Sequence, residues 1–282
     1  MYHKIIDVDI DYAKLGVKHE GKKATITTYI KDIFPEHQNA FKRPMVIVCP
    51  GGGYGHHSMR EGEQIALKML DFGYNALVLH YSLLPDNYPC ALYEMAYAVD
   101  YARKYADEWD IDPDKIIVAG FSAGGHIAAS LGTMYKDKEL ADFVEKQLGS
   151  TPEAIKPNGM LLGYPVITTG EFRHVRSFQN LLGDRHDELL DSMSLEKRVT
   201  ADTPKTFMWH TFGDGSVPLE NSLLFASALR AAGVPFEYHV FPVGNHGLAL
   251  GTKETDTKDG THCQPEVYVW TDMFKTWVEK NI

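Results

Sequence analysis

The strongest constraint on the fold is a repeated alternation between short apolar runs and segments with helical periodicity. Several of the runs are apolar on both faces, which is typical of strands buried in a parallel sheet. The first two runs alternate apolar and polar residues and favour an antiparallel hairpin at the sheet edge. The predicted strands cover residues 4–10, 24–30, 45–49, 76–81, 115–120, 159–164, 206–210 and 236–241.

Helical patterns fill the intervals between these strands. Helices are predicted to begin near residue 59 and just after Ser122, to cover 91–107 and 219–232, and to close the chain with an apolar stripe over 267–278. This alternation predicts an α/β fold over residues 1–282, a single domain with a mostly parallel eight-stranded sheet and helices on both faces. Ligands of such sheets bind at the carboxyl ends of the strands.

Two segments interrupt the alternation. Residues 168–204 are polar and charged, with short helices predicted over 176–182 and 187–195. We expect this segment to be a short cap insertion over the carboxyl edge of the sheet. Residues 251–264 are also polar and are predicted to form a loop.

The sequence IIVAGFSAGG (residues 116–125) places a G-x-S-x-G motif between an apolar strand and a helix. In this context the serine occupies a sharp strand-to-helix turn, where flanking glycines make room for the crossing backbone. The motif therefore predicts Ser122 as a nucleophile at the carboxyl end of the strand. The alternative is a glycine-rich turn whose serine only caps a helix.

A serine nucleophile needs a base and an orienting acid. Where the serine stands in a G-x-S-x-G turn of a parallel α/β sheet, the acid and then the base follow it in the chain. Asp214 comes just after the strand at 206–210, and His246 follows the strand that ends at 241. Both thus fall at the same sheet edge as Ser122 and are predicted to be the acid and the base. His262, in the polar loop, is the main rival to His246, while His210 is expected to be structural.

Three glycines in the sequence CPGGGYGHHS (residues 49–58) follow the strand at 45–49. They could form a phosphate cradle, an oxyanion hole or a turn, but no lysine of a phosphate-binding motif follows them. An early strand-to-helix loop of this kind supplies one oxyanion amide in hydrolases, and the residue after the nucleophile supplies the other. We therefore predict an oxyanion hole made by the backbone N–H groups of Gly52, Gly53 and Ala123.

Other polar residues of this loop carry weaker predictions. His56 and His57 are expected at the mouth of the site rather than on a metal, because no carboxylate or cysteine has a suitable spacing. Tyr54 and Tyr81 follow strands and are candidate substrate contacts, with core packing as the alternative. Glu61 is three residues after Ser58, which predicts a capping box. Neither a metal nor a cofactor is expected.

The net charge of −10, with no cluster of Lys or Arg, argues against nucleic acid and anionic membranes as partners. No apolar run is long enough to span a bilayer. The three cysteines have no close spacing, so we expect reduced thiols and a cytoplasmic location. A homo-oligomer remains an open alternative at this stage.

Taken in order, these motifs resemble the α/β-hydrolase superfamily, and more narrowly the small esterases that include acetylxylan and feruloyl-type esterases, related to the hormone-sensitive-lipase-like group. The resemblance rests on PGGGY, GYNALVLHYSLLP, DPDKIIVAGFSAGGH, SLEKRVTADTPKTFMWHT, DGSVPLENSLLFASALRAAGVPFEYHVFP and HGL, between residues 46 and 248. It implies Ser122, Asp214 and His246 as a catalytic triad, and Gly52, Gly53 and Ala123 as oxyanion donors. Pro50 departs from the histidine that usually precedes the glycines.

The resemblance implies a serine carboxylesterase acting on short acyl esters, acetyl above all, of small molecules such as acetylated sugars or xylo-oligosaccharides. Two alternatives stay open. An oligopeptidase-type peptidase shares the triad but usually carries a large extra domain. A non-catalytic binding protein on the same scaffold would be expected to lack a triad residue.

Overall fold

The computed structural model describes residues 1–34, 36 and 42–282 and contains an eight-stranded sheet with the order β1-β2-β4-β3-β5-β6-β7-β8. Strands β3 to β8 are parallel, whereas β2 runs antiparallel to both β1 and β4. The strands are β1 Ile5–Asp7, β2 Thr25–Tyr29, β3 Arg43–Cys49, β4 Asn75–His80, β5 Ile111–Phe121, β6 Gly159–Gly163, β7 Lys205–Thr211 and β8 Phe236–Phe241. The predicted mostly parallel sheet and its antiparallel edge hairpin are confirmed.

Helices cover both faces of this sheet. They are α1 Glu63–Asp71, α2 Cys90–Lys104, α3 Ala123–Met134, α4 Lys138–Phe143, α5 Pro152–Ile155, α6 Val175–Leu182, α7 His186–Leu189, α8 Glu220–Ala231 and α9 Trp270–Asn281. Short 3₁₀ turns lie at Ala13–Leu15, Met59–Glu61, Gly183–Arg185, Asp191–Met193, Leu195–Lys197 and Lys253–Thr255, and a π-helical turn at Val144–Leu148.

Two apolar cores form because alternate side chains of the buried strands point to opposite faces of the sheet. One core joins α2, α3 and α8 to residues such as Ile47 and Val118. The other joins α1 and α9 to their sequence neighbours Val46 and Ile117. This burial on both faces explains why strands such as β3 are apolar throughout.

The start of α1 differs from the prediction. A 3₁₀ turn precedes the helix, which begins only at Glu63, and Ser58 makes no capping hydrogen bond through its side chain. The predicted capping box is therefore wrong, because the Glu61 carboxylate is used elsewhere. The Glu61 side chain is 2 % exposed and accepts hydrogen bonds from Gly51 and Tyr164.

Candidate active site

The chain reverses direction sharply at Ser122, between β5 and α3. Ser122 has φ 54° and ψ −120°, a strained conformation that L-residues adopt rarely. The two motif glycines permit this turn, since a Cβ on Gly120 would lie 2.2 Å from the Gly124 carbonyl oxygen and one on Gly124 2.0 Å from that of Cys49. Backbone packing thus accounts for both glycines, and the turn leaves the Ser122 hydroxyl at the carboxyl end of β5.

Loops after β7 and β8 bring Asp214 and His246 to this hydroxyl. The Ser122 Oγ lies 2.8 Å from Nε2 of His246, and Nδ1 of His246 lies 2.7 Å from Oδ2 of Asp214. Because a carboxylate only accepts hydrogen bonds, the imidazole proton belongs on Nδ1, which leaves Nε2 free to accept the serine proton. The structure therefore brings the three predicted residues together in the order Ser–His–Asp.

Asp214 is buried and surrounded by donors. Its Oδ1 accepts the backbone N–H groups of Ser216 and Val217, and its Oδ2 accepts from His246 and from Nε2 of His210, 3.2 Å away. Burial alone raises the pKa of this carboxyl, but the hydrogen bonds from the two histidines outweigh it and hold the pKa well below its usual range. Asp214 is therefore ionised at neutral pH.

The glycine loop, residues 51–58, turns back on itself through hydrogen bonds to two of its carbonyl groups. Gly51 O accepts from Ser58 N, and Gly52 O accepts from the N–H groups of Gly55 and His56. Since the N–H of a trans peptide points away from its carbonyl, the N–H groups of Gly52 and Gly53 point out of the turn. They and the N–H of Ala123 donate to no acceptor within residues 1–34, 36 and 42–282.

Comparisons with known proteins show the family and the fold of this chain. The BD-FAE family matches residues 31–229, about seven-tenths of the chain. The chain belongs to the BD-FAE family. Its sheet and helices have the α/β-hydrolase fold, and the acetyl ester-xyloside bifunctional hydrolase of Caldicellulosiruptor lactoaceticus superposes with a TM-score of 0.82 at 34% identity, over 98% of this chain and 95% of the other.

Two curated relatives of this BD-FAE chain are longer proteins. Endo-1,4-beta-xylanase B of Butyrivibrio fibrisolvens is 40% identical over 228 residues, which are 77% of this chain and 34% of the relative. Acetylxylan esterase of Xylanibacter ruminicola is 28% identical over 214 residues, or 73% of this chain and 41% of the relative. The chain thus spans less than half the length of either curated relative.

Glu61 connects the glycine loop of the BD-FAE chain to the loop that carries His246. Its Oε2 accepts the Gly51 N–H at 2.7 Å, and its Oε1 accepts the Tyr164 hydroxyl at 2.8 Å. That hydroxyl in turn accepts the Ala249 N–H, and the Tyr164 ring packs edge-on against His246 with centroids 5.0 Å apart. One buried carboxylate therefore fixes both sides of the site, a role that the sequence pattern did not reveal.

Two further histidines support the triad without touching Ser122. His210 is fully buried, and its Nε2–H also donates to Val217 O. One N–H is therefore shared between Val217 O and Asp214 Oδ2. His262, the predicted rival base, lies with Nε2 3.0 Å from the backbone oxygen of His246 and Nδ1 beside Thr257 and Thr261. It holds the backbone of the His246 loop instead of occupying the base position.

Helix α6, in the polar segment 168–204, lies against Gly53. Asn180 Nδ2 donates to Gly53 O at 2.7 Å, while a Cβ at Gly53 would lie 3.7 Å from Ser177 Oγ and 3.8 Å from Cε1 of His174. Positions 174, 177 and 180 share one face at helical spacing. This face of α6 thus restricts the space over Gly53 and fixes its carbonyl group.

The four weaker candidates separate into two pairs. Tyr54 and Tyr81 are buried, and their hydroxyls bond His126 Nδ1 and Pro50 O, so both are engaged within the core. His56 is exposed, and His57 is half-buried with its ring edge-on to Tyr81 at 4.6 Å. Burial lowers the pKa of His57 to about 4 and keeps the ring neutral.

Neither a metal cluster nor a spanning helix accompanies this site in the part of the chain that the structure describes. No group of three or more His, Cys, Asp or Glu side chains there is arranged to hold a metal ion. Within the same residues, every helix is too short or too polar to cross a bilayer.

Proposed function

We propose that this chain is a serine carboxylesterase that hydrolyses short-chain esters, acetyl esters of sugars above all, through an acyl-enzyme. The observation that carries the proposal is the continuous hydrogen-bonded series from Ser122 through His246 to Asp214 in a BD-FAE chain. Names of the related proteins, an acetylxylan esterase and an acetyl ester-xyloside hydrolase, support the acetyl and sugar parts of the proposal.

In this mechanism the Ser122 oxygen attacks the ester carbonyl carbon while Nε2 of His246 takes the serine proton. Ionised Asp214 holds the proton on Nδ1 and stabilises the imidazolium that forms. The amides of Gly52, Gly53 and Ala123 donate to the oxyanion. The ester C–O bond then breaks, and His246 gives its proton to the departing alcohol.

Hydrolysis of the acyl-enzyme repeats these steps with water. His246 takes a proton from the water as its oxygen attacks the acyl carbon, and it returns a proton to Ser122 Oγ as the carboxylic acid leaves. His174 and Ser177 restrict the space facing Gly53, which favours a compact acyl group. No step requires a cofactor. The three cysteines are unpaired, in keeping with a proposed cytoplasmic location.

The decisive test compares Ser122→Ala with Ser130→Ala, a buried serine two turns further along α3. Ser122→Ala should lose at least about 10⁴-fold in kcat on 4-nitrophenyl acetate and all labelling by a fluorophosphonate probe. Ser130→Ala should keep both. An active Ser122→Ala enzyme contradicts the proposed nucleophile, and wild-type protein that neither reacts with the probe nor hydrolyses esters favours a binding protein.

Acyl preference is tested with the acetyl, butyryl and octanoyl esters of 4-nitrophenol. We expect kcat/KM to fall as the acyl chain lengthens. Faster turnover of the octanoyl ester than of the acetyl ester is the result that rules out a short-acyl specificity.

A further inference from the structure

A cavity lies at the carboxyl end of β4, along the same sheet edge as Ser122 and beside the glycine loop. It has a volume of about 740 Å³, within the range of small-molecule sites. Its walls are residues 20–23 of the N-terminal segment, Thr25 at the start of β2, Gly55 and His57 of the glycine loop, His80 and Tyr81 at the end of β4, and residues 83–85. We call it the β4 cavity.

The strand order sets its distance from the nucleophile. Strand β3 separates β4 from β5, and neighbouring strands are about 4.8 Å apart, so the end of β4 lies about 10 Å from the end of β5. Gly55, which has no side chain, is exposed and lines the cavity on the side of the glycine loop. A group attached to an ester bound at Ser122 therefore reaches the β4 cavity within one or two sugar rings.

The lining has the chemistry of a carbohydrate site. Leu83, Leu84 and Pro85 offer apolar surface to the C–H face of a sugar ring. Burial lowers the pKa of both His57 and His80, so the two imidazoles are neutral and can donate to or accept from hydroxyl groups. The Nε2 atom of His57 is buried and has no hydrogen-bond partner among the described residues.

Two of the charged residues at the rim are held in ion pairs, and Lys22 adds one positive charge there. Lys23 pairs with Asp7 and Asp9, and Glu20 pairs with Lys18. A fatty acyl chain would leave the buried Nε2 atom of His57 without a hydrogen-bond partner, which is unfavourable. Neutral hydrogen-bonding groups beside apolar surface suit a hydroxylated, uncharged ligand better.

We infer that the β4 cavity binds the alcohol part of the ester, a neutral oligosaccharide, while the acyl group lies at Ser122. This inference rests on the proposed esterase function and adds to it the location of the leaving group. The cavity then selects substrates by the sugar that departs and has no part in holding the acyl group.

The test uses two acetyl esters that share the acyl group and differ in the alcohol: 4-nitrophenyl acetate and mono-acetylated xylotriose. In Leu84→Trp the indole fills the cavity rim, where Leu84 is 49% exposed. The kcat/KM for the xylotriose ester, divided by that for the aryl ester, should fall at least about tenfold. His80→Gln, a second variant that keeps one hydrogen-bonding group, should lower the same ratio.

The matched control is Leu67→Trp, on α1 and 43% exposed, outside the β4 cavity. Its ratio should equal that of the wild type. Leu84→Trp and His80→Gln enzymes that both keep the wild-type ratio overturn the inference, as does wild-type enzyme active on the aryl ester and inert on the xylotriose ester. Wild-type enzyme inert on both esters refutes the proposed esterase function itself.

Discussion

Replacing Glu61 by Gln should both destabilise the fold and slow the reaction, because one buried carboxylate serves two donors. Its Oε2 accepts the Gly51 N–H and its Oε1 the Tyr164 hydroxyl, at 2.7 and 2.8 Å. An amide has one oxygen. If that oxygen faces Gly51, the NH₂ group faces Tyr164, whose hydroxyl proton is left without its acceptor.

The magnitude follows from these two contacts. Leaving one buried donor unsatisfied costs about 1–3 kcal/mol, and replacing a charge-assisted hydrogen bond by a neutral one costs about 1 kcal/mol more. A total of about 3 kcal/mol should lower Tm by about 5 °C in a chain of this length. Displacement of Gly51, next to the proposed donors, should lower kcat by about tenfold to a hundredfold.

The assay combines thermal unfolding with kcat and KM on 4-nitrophenyl acetate. Glu63→Gln is the control, since Glu63 lies two residues away, is exposed, and accepts the Tyr29 hydroxyl in a contact that an amide can retain. Glu61→Gln protein with Tm within about 1 °C and kcat within about twofold of the wild type would refute this account of the carboxylate.

Three further predictions concern the surroundings of the triad. Asn180→Asp loses the donor to Gly53 O and should lower kcat about tenfold with little change in KM. The control Gln179→Ala, at an exposed position of the same helix, should leave kcat unchanged. Equal kcat values for the two variants would contradict the positioning role of Asn180. His262→Ala should lower kcat at most about tenfold, because it removes one hydrogen bond to the His246 backbone. His246→Ala should lower kcat by several orders of magnitude. The reverse ranking of the two variants would make His262 the base. Burial lowers the pKa of His126 to about 4, below its unfolded value near 6.5, so the unfolded state binds more protons and stability is lost as pH falls through that range. Urea unfolding at pH 7 and pH 4.5 should show a decrease in the free energy of unfolding that is smaller by about 2 kcal/mol in His126→Gln than in the wild type. An equal decrease in the two proteins would show that His126 does not contribute.

Sequence reasoning locates the residues whose position follows from strand ends. Ser122 comes directly after β5 in a motif whose glycines have a steric reason, and the carboxyl ends of parallel strands meet at one edge. Asp214 and His246 follow β7 and β8 for the same reason. Local signals were less secure at α1, where Ser58 and Glu61 fit a capping pattern that the structure does not use.

The contacts that support the site depend on the tertiary structure alone. Glu61 meets Tyr164 across 103 residues, and Asn180 meets Gly53 across 127. A carboxylate or an amide can bond many partners, so its residue type and neighbours in sequence do not select one. Periodicity and turn chemistry determine which strands and loops form and which residues stand at their ends. Packing of α6 and of the loops over the sheet decides which buried polar groups become partners, because each buried polar group requires a partner that only the folded chain brings within reach.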